Sequence, residues 1–229
     1  MGIGEYTSIA VDEAGKPHIS YLGSGLIYAH WTDSGWLTQT VDTIGQAGQY
    51  TSLALDTSGN PHISYSDGGL KYAFWTGSAW ATQKVDGAYT QDTSLALDRS
   101  GKPYISYQTV SVIYSPTYQT FSSLLLARWT GSAWLTQTVD TASPVGYGNS
   151  LALDAAGNPH VSYSGIYAGR LHVKYARWTG SSWDIQTLDD SGNVGAYTSL
   201  ALDKAGNTHV TYGCAGLRYA RWTGSAWVT

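Results

Sequence analysis

One fifteen-residue segment occurs five times in this chain, and a fixed internal repeat constrains a fold more tightly than any local propensity. TSIAVDEAGKPHISY at Thr7 to Tyr21 returns as TSLALDTSGNPHISY from Thr51, TSLALDRSGKPYISY from Thr93, NSLALDAAGNPHVSY from Asn149 and TSLALDKAGNTHVTY from Thr198. Each copy is followed by a tryptophan pair at constant spacing: Trp31/Trp36, Trp75/Trp80, Trp129/Trp134, Trp178/Trp183 and Trp222/Trp227. The repeats run approximately 1–44, 45–88, 89–142, 143–192 and 193–229, and the expectation is one domain over 1–229.

Within a repeat, four short runs rich in β-branched and aromatic residues are separated by turn chemistry, as in TSLALD, PHISY, LKYAFW and AWATQKVD of the second copy. The first two runs (strands A and B) are joined by Asp-x-x-Gly-x-Pro, where Asp caps the turn, Gly supplies a positive φ and Pro opens the next strand. The last two (C and D) are joined by a tight turn between the tryptophans. No stretch carries a 3.6-residue apolar period, so essentially no helix is expected. A four-stranded meander of this size cannot bury both faces alone, and radial repetition solves that problem. The expected fold is an all-β five-bladed β-propeller with four antiparallel strands per blade.

The SLALDxxGxPHISY and LKYARWTGSxW pattern resembles the tandem repeats of bacterial, exported β-propeller proteins over the whole chain. Blade number and size resemble the tachylectin-2 type propeller lectins, and the Trp-x-Gly-x-x-Trp turn is similar to that of fucose-binding propeller lectins. The turn here carries Thr where those lectins have Asp. The resemblance implies a propeller that recognises carbohydrate.

Composition narrows the function classes. Twelve Lys plus Arg against sixteen Asp plus Glu give a formal charge of −4, with no basic run to neutralise a phosphate backbone, so nucleic acid is excluded as a partner. No apolar stretch nears the roughly 18 residues that span a bilayer, which argues against membrane insertion. The residues from Met1 to Tyr6 do not read as a signal peptide, but few Lys and Glu beside abundant Ser, Thr, Tyr, Trp and Gly suit an extracellular or cell-surface protein. The single Cys214 builds neither a disulfide nor a metal cluster. No nucleotide, phosphate-loop or nucleophile motif is present, so no cofactor is expected.

Repeated residues point to the scaffold, and unrepeated ones to chemistry. Of fourteen aspartates, nine fall in repeated slots: Asp12, Asp56, Asp98, Asp154 and Asp203 in the A to B turn, and Asp42, Asp86, Asp140 and Asp189 at the end of strand D. Asp33, Asp67, Asp92, Asp184 and Asp190 are scattered, so no carboxylate pair for glycoside hydrolysis stands out. His18, His62, His160 and His209 recur at one point of strand B, where the third repeat has Tyr104, which favours a structural role; His30 and His172 are isolated.

The expected ligand-binding set is therefore aromatic and cationic: Trp80, Trp134, Trp183 and Trp227 opening strand D, Arg128, Arg177 and Arg221 preceding the first tryptophan, and Tyr114, Tyr118 and Tyr167 on long B to C connections. Those connections, Gln108 to Ser123 and Ser164 to His172, were expected to form recognition loops on the variable rim, with its main concave opening and least ordered backbone. The resulting expectation is a monomeric, non-enzymatic, lectin-like module binding a glycan. A scaffold binding a surface protein through the variable rim is the alternative, and a glycan-active enzyme the weakest reading. The last repeat ends at Trp227-Val228-Thr229, so a shortened outer strand and a seam between the first and last blades held by side-chain packing were also expected.

Overall fold

The computed structural model describes residues 4–114, 119–142, 144–191, 194–195, 197–213 and 216–229. Tyr118 and Cys214 thus lie outside the described residues. The described chain contains no helix and twenty strands, which pair in chain order into five four-stranded antiparallel sheets. These are the sheets of a five-bladed all-β propeller.

Sheet 1 holds β1 (Glu5–Val11), β2 (Pro17–Leu22), β3 (Leu26–Thr32) and β4 (Gly35–Asp42). Sheet 2 holds β5 (Gln49–Leu55), β6 (Pro61–Ser66), β7 (Leu70–Trp75) and β8 (Trp80–Asp86). Sheet 3 holds β9 (Thr90–Leu97), β10 (Pro103–Ile113), β11 (Gln119–Trp129) and β12 (Trp134–Asp140). Sheet 4 holds β13 (Val145–Leu153), β14 (Pro159–Tyr167), β15 (Arg170–Trp178) and β16 (Trp183–Asp189). Sheet 5 holds β17 (Thr198–Leu202), β18 (Thr208–Gly213), β19 (Leu217–Trp222) and β20 (Trp227–Val228), the last only two residues long. The chain forms two compact units, Met1–Ile105 and Ser106–Thr229, divided within β10.

Each A to B turn is built from its own side chain. Asp56 Oδ1 accepts the backbone N–H groups of Ser58 and Asn60, both at 2.8 Å, and Gly59 takes φ +78°, a conformation costly for any residue with a Cβ. Pro61 then opens β6, where its missing N–H is harmless.

In the first unit, strand A is an edge of its sheet, and edge strands leave unpaired N–H groups that must be satisfied. The neighbouring sheet supplies the acceptors: Leu53 N–H donates to Ser8 Oγ and Leu95 N–H to Ser52 Oγ, each at 3.0 Å. Thr51 and Thr93 hydroxyls meet Ser20 and Ser64 at 2.8 Å and donate to the Tyr6 and Tyr50 carbonyls. Around this polar zip, Leu26, Tyr28, Leu53, Ile63, Tyr65 and Ala73 form a buried cluster.

The second unit repeats the device. Leu200 N–H donates to Ser150 Oγ at 3.0 Å, and Ser162 meets Thr198 at 2.8 Å. Its core gathers Val173, Tyr175, Leu188, Val194, Leu200, Val210 and Tyr212.

A second fastener closes the outer part of the sheets. The carboxylate ending one sheet accepts a tyrosine hydroxyl and a cation from the next: Asp42 takes Tyr65 (2.7 Å) and Lys71 (2.9 Å), and Asp140 takes Tyr163 (2.7 Å) and Lys174. Asp189 takes Tyr212 (2.8 Å) and Arg218 (2.7 Å). Burial pulls the Asp189 carboxyl upward, but hydrogen bonds from Ser191, Tyr212 and Arg218 outweigh it and hold the group at about 2.

The insertion in the third repeat is not the loop that was expected. The backbone of Gln108 to Ile113 and of Gln119 to Ser123 continues β10 and β11 as ladder, because alternating side chains such as Thr109, Val110, Ser111 and Val112 suit a pleated strand. The fourth repeat's extension is likewise strand, turning at Ala168 (φ 50°) and Gly169 (φ 76°), a two-residue hairpin turn of positive φ.

Asp189→Asn is expected to lower stability at pH 7 by about 2 kcal/mol, the value of a shift from 3.8 to about 2 for a carboxyl whose side chain is only 8% exposed. Because the folded carboxyl titrates below the unfolded one, its contribution is complete above about pH 4 and fades as pH falls toward 2. Denaturant titrations at pH 7 and pH 3 should therefore show less acid loss in the variant than in the wild type; equal losses would remove the latch from the stability account.

Candidate functional site

The repeated polar residues are consumed by the scaffold. His18 Nδ1 and Tyr28 Oη are hydrogen-bonded at 2.5 Å, His160 and Tyr175 at 2.5 Å, His209 and Tyr219 at 2.6 Å, and His62 pairs with Tyr72 in the same way. The opposite ring nitrogen faces the turn aspartate, at 3.6 Å for His18 with Asp12 and for His62 with Asp56. Burial pushes the His62 and His160 imidazoles down, which keeps them neutral. In the third repeat both partners change together, to Tyr104 and Leu126, as expected for a packing pair. Among the described residues no group of three or more His, Cys, Asp or Glu is placed to hold a metal.

Two of the predicted tryptophans, Trp80 and Trp227, sit between sheets. In the first unit, Trp80 packs edge-on against Tyr28 of the preceding sheet (5.2 Å between centroids), and its indole N–H donates to Gln39 at 2.7 Å. In the second, Trp227 does the same with Tyr175 (5.0 Å) and Gln186 (2.8 Å). Trp134 and Trp183 each contact the other tryptophan of their pair at 5.5 Å, and Trp183 Nε1 is buried with no acceptor. Arg128 and Arg221 are exposed, and Arg177 is paired with Asp184 at 3.0 Å. Tyr114 and Tyr167 are exposed, at 78% and 74%. Of this predicted set, only Tyr167 lines the cleft that gathers unrepeated polar groups.

That cleft lies in the second unit, where the B to C and D to A connections of sheet 4 emerge, and encloses about 400 Å³, within the range of small-ligand sites. Its polar lining is Tyr167, His172, Lys174, Thr187 and Asp190. Strand register explains how they meet. Across β14 and β15, Tyr167 pairs with Arg170, Gly165 with His172 and Tyr163 with Lys174, so alternation puts all six on one face. Gly165 leaves that face open, since a Cβ there would stand 2.9 Å from Val145 Cγ1. The Tyr167 ring meets His172 edge-on at 6.1 Å. Lys174 is paired with Asp140, and its ammonium lies 5.6 Å from the Tyr163 ring centre. Burial raises the Asp140 carboxyl, but Lys174, Ala142 and Tyr163 together bring it below its ordinary value.

His172, Lys174 and Asp190 were missed by sequence reasoning. His172 and Asp190 are unrepeated, and that was their only signal; Lys174 was hidden because Lys71 and Arg218 occupy its slot in other repeats. A hollow of about 510 Å³ in the first unit, between the turns at Asp12 and Asp56, is larger than this cleft. Two of its three carboxylates, Asp12 and Asp56, fold back onto the backbone N–H groups of their own turns, and Glu13 is the third.

No protein-family model and no curated protein sequence matches the chain. Among solved structures it is similar to a protein of unknown function from Dyadobacter fermentans, at 12% identity over 96% of this chain and 78% of that one, TM-score 0.67. It is also similar to an ulvan lyase, a polysaccharide lyase, at 15% identity over 98% and 68% of the two chains, TM-score 0.69. A third similarity is to an α-L-arabinofuranosidase from Clostridium thermocellum, at 11% identity over 97% and 92%, TM-score 0.54. These likenesses are of fold. They correct the expectation of a non-enzymatic lectin-like module: the structures similar over nearly the whole chain are mostly glycan-cleaving enzymes, including a xylanase and further glycoside hydrolases.

Removing an indole N–H should matter only where it has an acceptor. Trp227→Phe is expected to cost about 1 kcal/mol more than Trp183→Phe, because the first strands Gln186 while the second loses no hydrogen bond. Thermal or urea unfolding of the two variants measures the difference; equal costs would show that ring volume alone decides these slots.

Proposed function

We propose that the chain is a carbohydrate-active enzyme that cleaves a uronate-bearing polysaccharide by β-elimination in the sheet 4 cleft. The observation that carries this is the lining itself: a phenol, an imidazole and an ammonium converge there beside one carboxylate, Asp190. Glycoside hydrolysis ordinarily needs two carboxylates about 5 to 10 Å apart, and among the described residues this lining holds only one. β-Elimination instead needs a cation to neutralise the uronate carboxylate, a base for the C5 proton and an acid for the leaving oxygen.

Lys174 fills the first role, since an ammonium carries three donors and its pair with Asp140 is through one carboxylate oxygen. His172 is the base. It takes the C5 proton, the electron pair forms the C4–C5 double bond, the C4–O bond breaks, and Tyr167 gives its proton to the departing oxygen. The similarity to an ulvan lyase supports this choice of reaction, and the glycan-cleaving enzymes among the other similar structures support the substrate class. The proposed setting is extracellular or cell-surface, in keeping with the repeat's resemblance to exported propellers; no helix is long and apolar enough to cross a membrane.

Incubation with glucuronate-containing and galacturonate-containing polysaccharides, followed by ultraviolet absorbance of the conjugated double bond, tests the reaction. Activity is expected to fall by about 10²- to 10⁴-fold in His172→Ala and in Tyr167→Phe. Release of reducing ends without absorbance would replace elimination by hydrolysis, and an inert protein across the panel would sink the proposal.

A further inference from the structure

The first unit contains a strained aromatic cluster that neither the scaffold nor the cleft uses. At the start of strand A, the residue before the repeated Thr sits at positive φ: Tyr6 at 51°, Tyr50 at 51° and Asp92 at 48°. In β1 and β5 this coincides with a slip in the pairing register, between Glu5 and Ser8 and between Gln49 and Ser52. Such bulges turn a side chain out of the pleat and re-aim it.

The backbone shape has a structural purpose, because the Tyr6 and Tyr50 carbonyls accept the Thr51 and Thr93 hydroxyls at 2.7 Å. The side chains are not needed for that purpose. In the second unit Gly148 occupies the same slot with φ 52°, and its carbonyl accepts Thr198 at 2.8 Å. Glycine adopts this conformation freely, whereas tyrosine and aspartate hold it at a cost that is met where a side chain has a task. Three of the slots therefore carry side chains that the zip alone would replace with glycine.

Those side chains gather into one surface. The Tyr6 and Tyr50 rings lie 4.5 Å apart at 51°. Asp92 and Tyr89 lie close enough to Tyr50 to act on its phenol. Tyr6 is 38% exposed and Tyr89 50%, so aromatic surface faces solvent beside a carboxylate.

We propose that Tyr6, Tyr50 and Asp92 form a recognition subsite for a neutral pyranose residue of the substrate polymer. The apolar C–H face of a pyranose lies on tyrosine, and a carboxylate accepts hydrogen bonds from neighbouring sugar hydroxyls. The same carboxylate repels a uronate, so charge separates this subsite from the cleft with Lys174. The inference rests on the glycan reading above and extends it: the polymer contains neutral sugars as well as uronates.

The test is protein-observed NMR with tyrosine-selective labelling in the His172→Ala background, which makes the measurement independent of turnover. Methyl xylopyranoside and methyl rhamnopyranoside are the neutral probes and glucuronic acid the charged one. Neutral probes are expected to shift the Tyr6 and Tyr50 resonances and glucuronic acid to leave them unchanged. Tyr50→Gly should weaken neutral binding by more than tenfold while keeping the melting temperature within a few degrees of the parent, since it relieves the left-handed strain. Asp92→Asn, which keeps a residue tolerant of positive φ, should weaken it without loss of fold. Neutral probes that leave both tyrosines unshifted, or glucuronic acid binding them equally well, would overturn the subsite. Shifted tyrosines in a protein whose wild type cleaves no uronate polymer would overturn the elimination chemistry and keep the subsite.

Discussion

The unpaired edge of strand A is the constraint from which the rest of the architecture follows. A four-stranded meander leaves a row of backbone N–H groups exposed at that edge, and burying them unpaired would cost more than the apolar core returns. Here Ser8, Ser52 and Ser150 reach from the preceding sheet to accept the N–H groups of Leu53, Leu95 and Leu200. Once these hydroxyls fix the spacing, the aspartates ending strand D can reach a tyrosine and a cation of the next sheet. Small residues along strand A are thus required by hydrogen bonding as much as by crowding.

This explains how much of the molecule was legible in its sequence. Strand number, turn chemistry and the short β20 follow from the repeat, because each copy testifies to the same local solution. The tryptophans misled: repetition with Gln39 and Gln186 marks Trp80 and Trp227 as inter-sheet packing, yet the same rings read equally well as sugar platforms until their acceptors are seen. The cleft was illegible for a different reason. Its residues meet only because the turn at Ala168 and Gly169 sets one register, and a slip of one residue would send His172 to the opposite face. The inserted segments read as loops because they lengthen the B to C connection and carry aromatic residues, although the alternation of Thr109 and Ser111 with Val110 and Val112 is that of a strand.

Function was misread at a comparable point. Without a local aspartate pair an enzyme was the weakest reading, but the elimination chemistry proposed above asks for a phenol, an imidazole and a cation instead. His172 was set aside as isolated because its partner, Tyr167, stands five residues away on the other strand of a hairpin. Where the scaffold is copied five times, uncopied residues are the informative ones, and Tyr167, His172 and Asp190 share that property.

Lys174 belongs to both systems. Its ammonium helps hold sheet 4 to the Asp140 carboxylate of sheet 3, and it also faces the cleft. An anion entering the cleft draws on the same charge that tethers Asp140, so occupancy and sheet adhesion compete for one cation. Asp140 keeps Tyr163 and the Ala142 N–H when that happens, which bounds the loosening. By reciprocity, whatever strengthens the Asp140 tether weakens the hold on an anionic ligand, and a charge fixed for architecture becomes a thermodynamic coupling between ligand and framework.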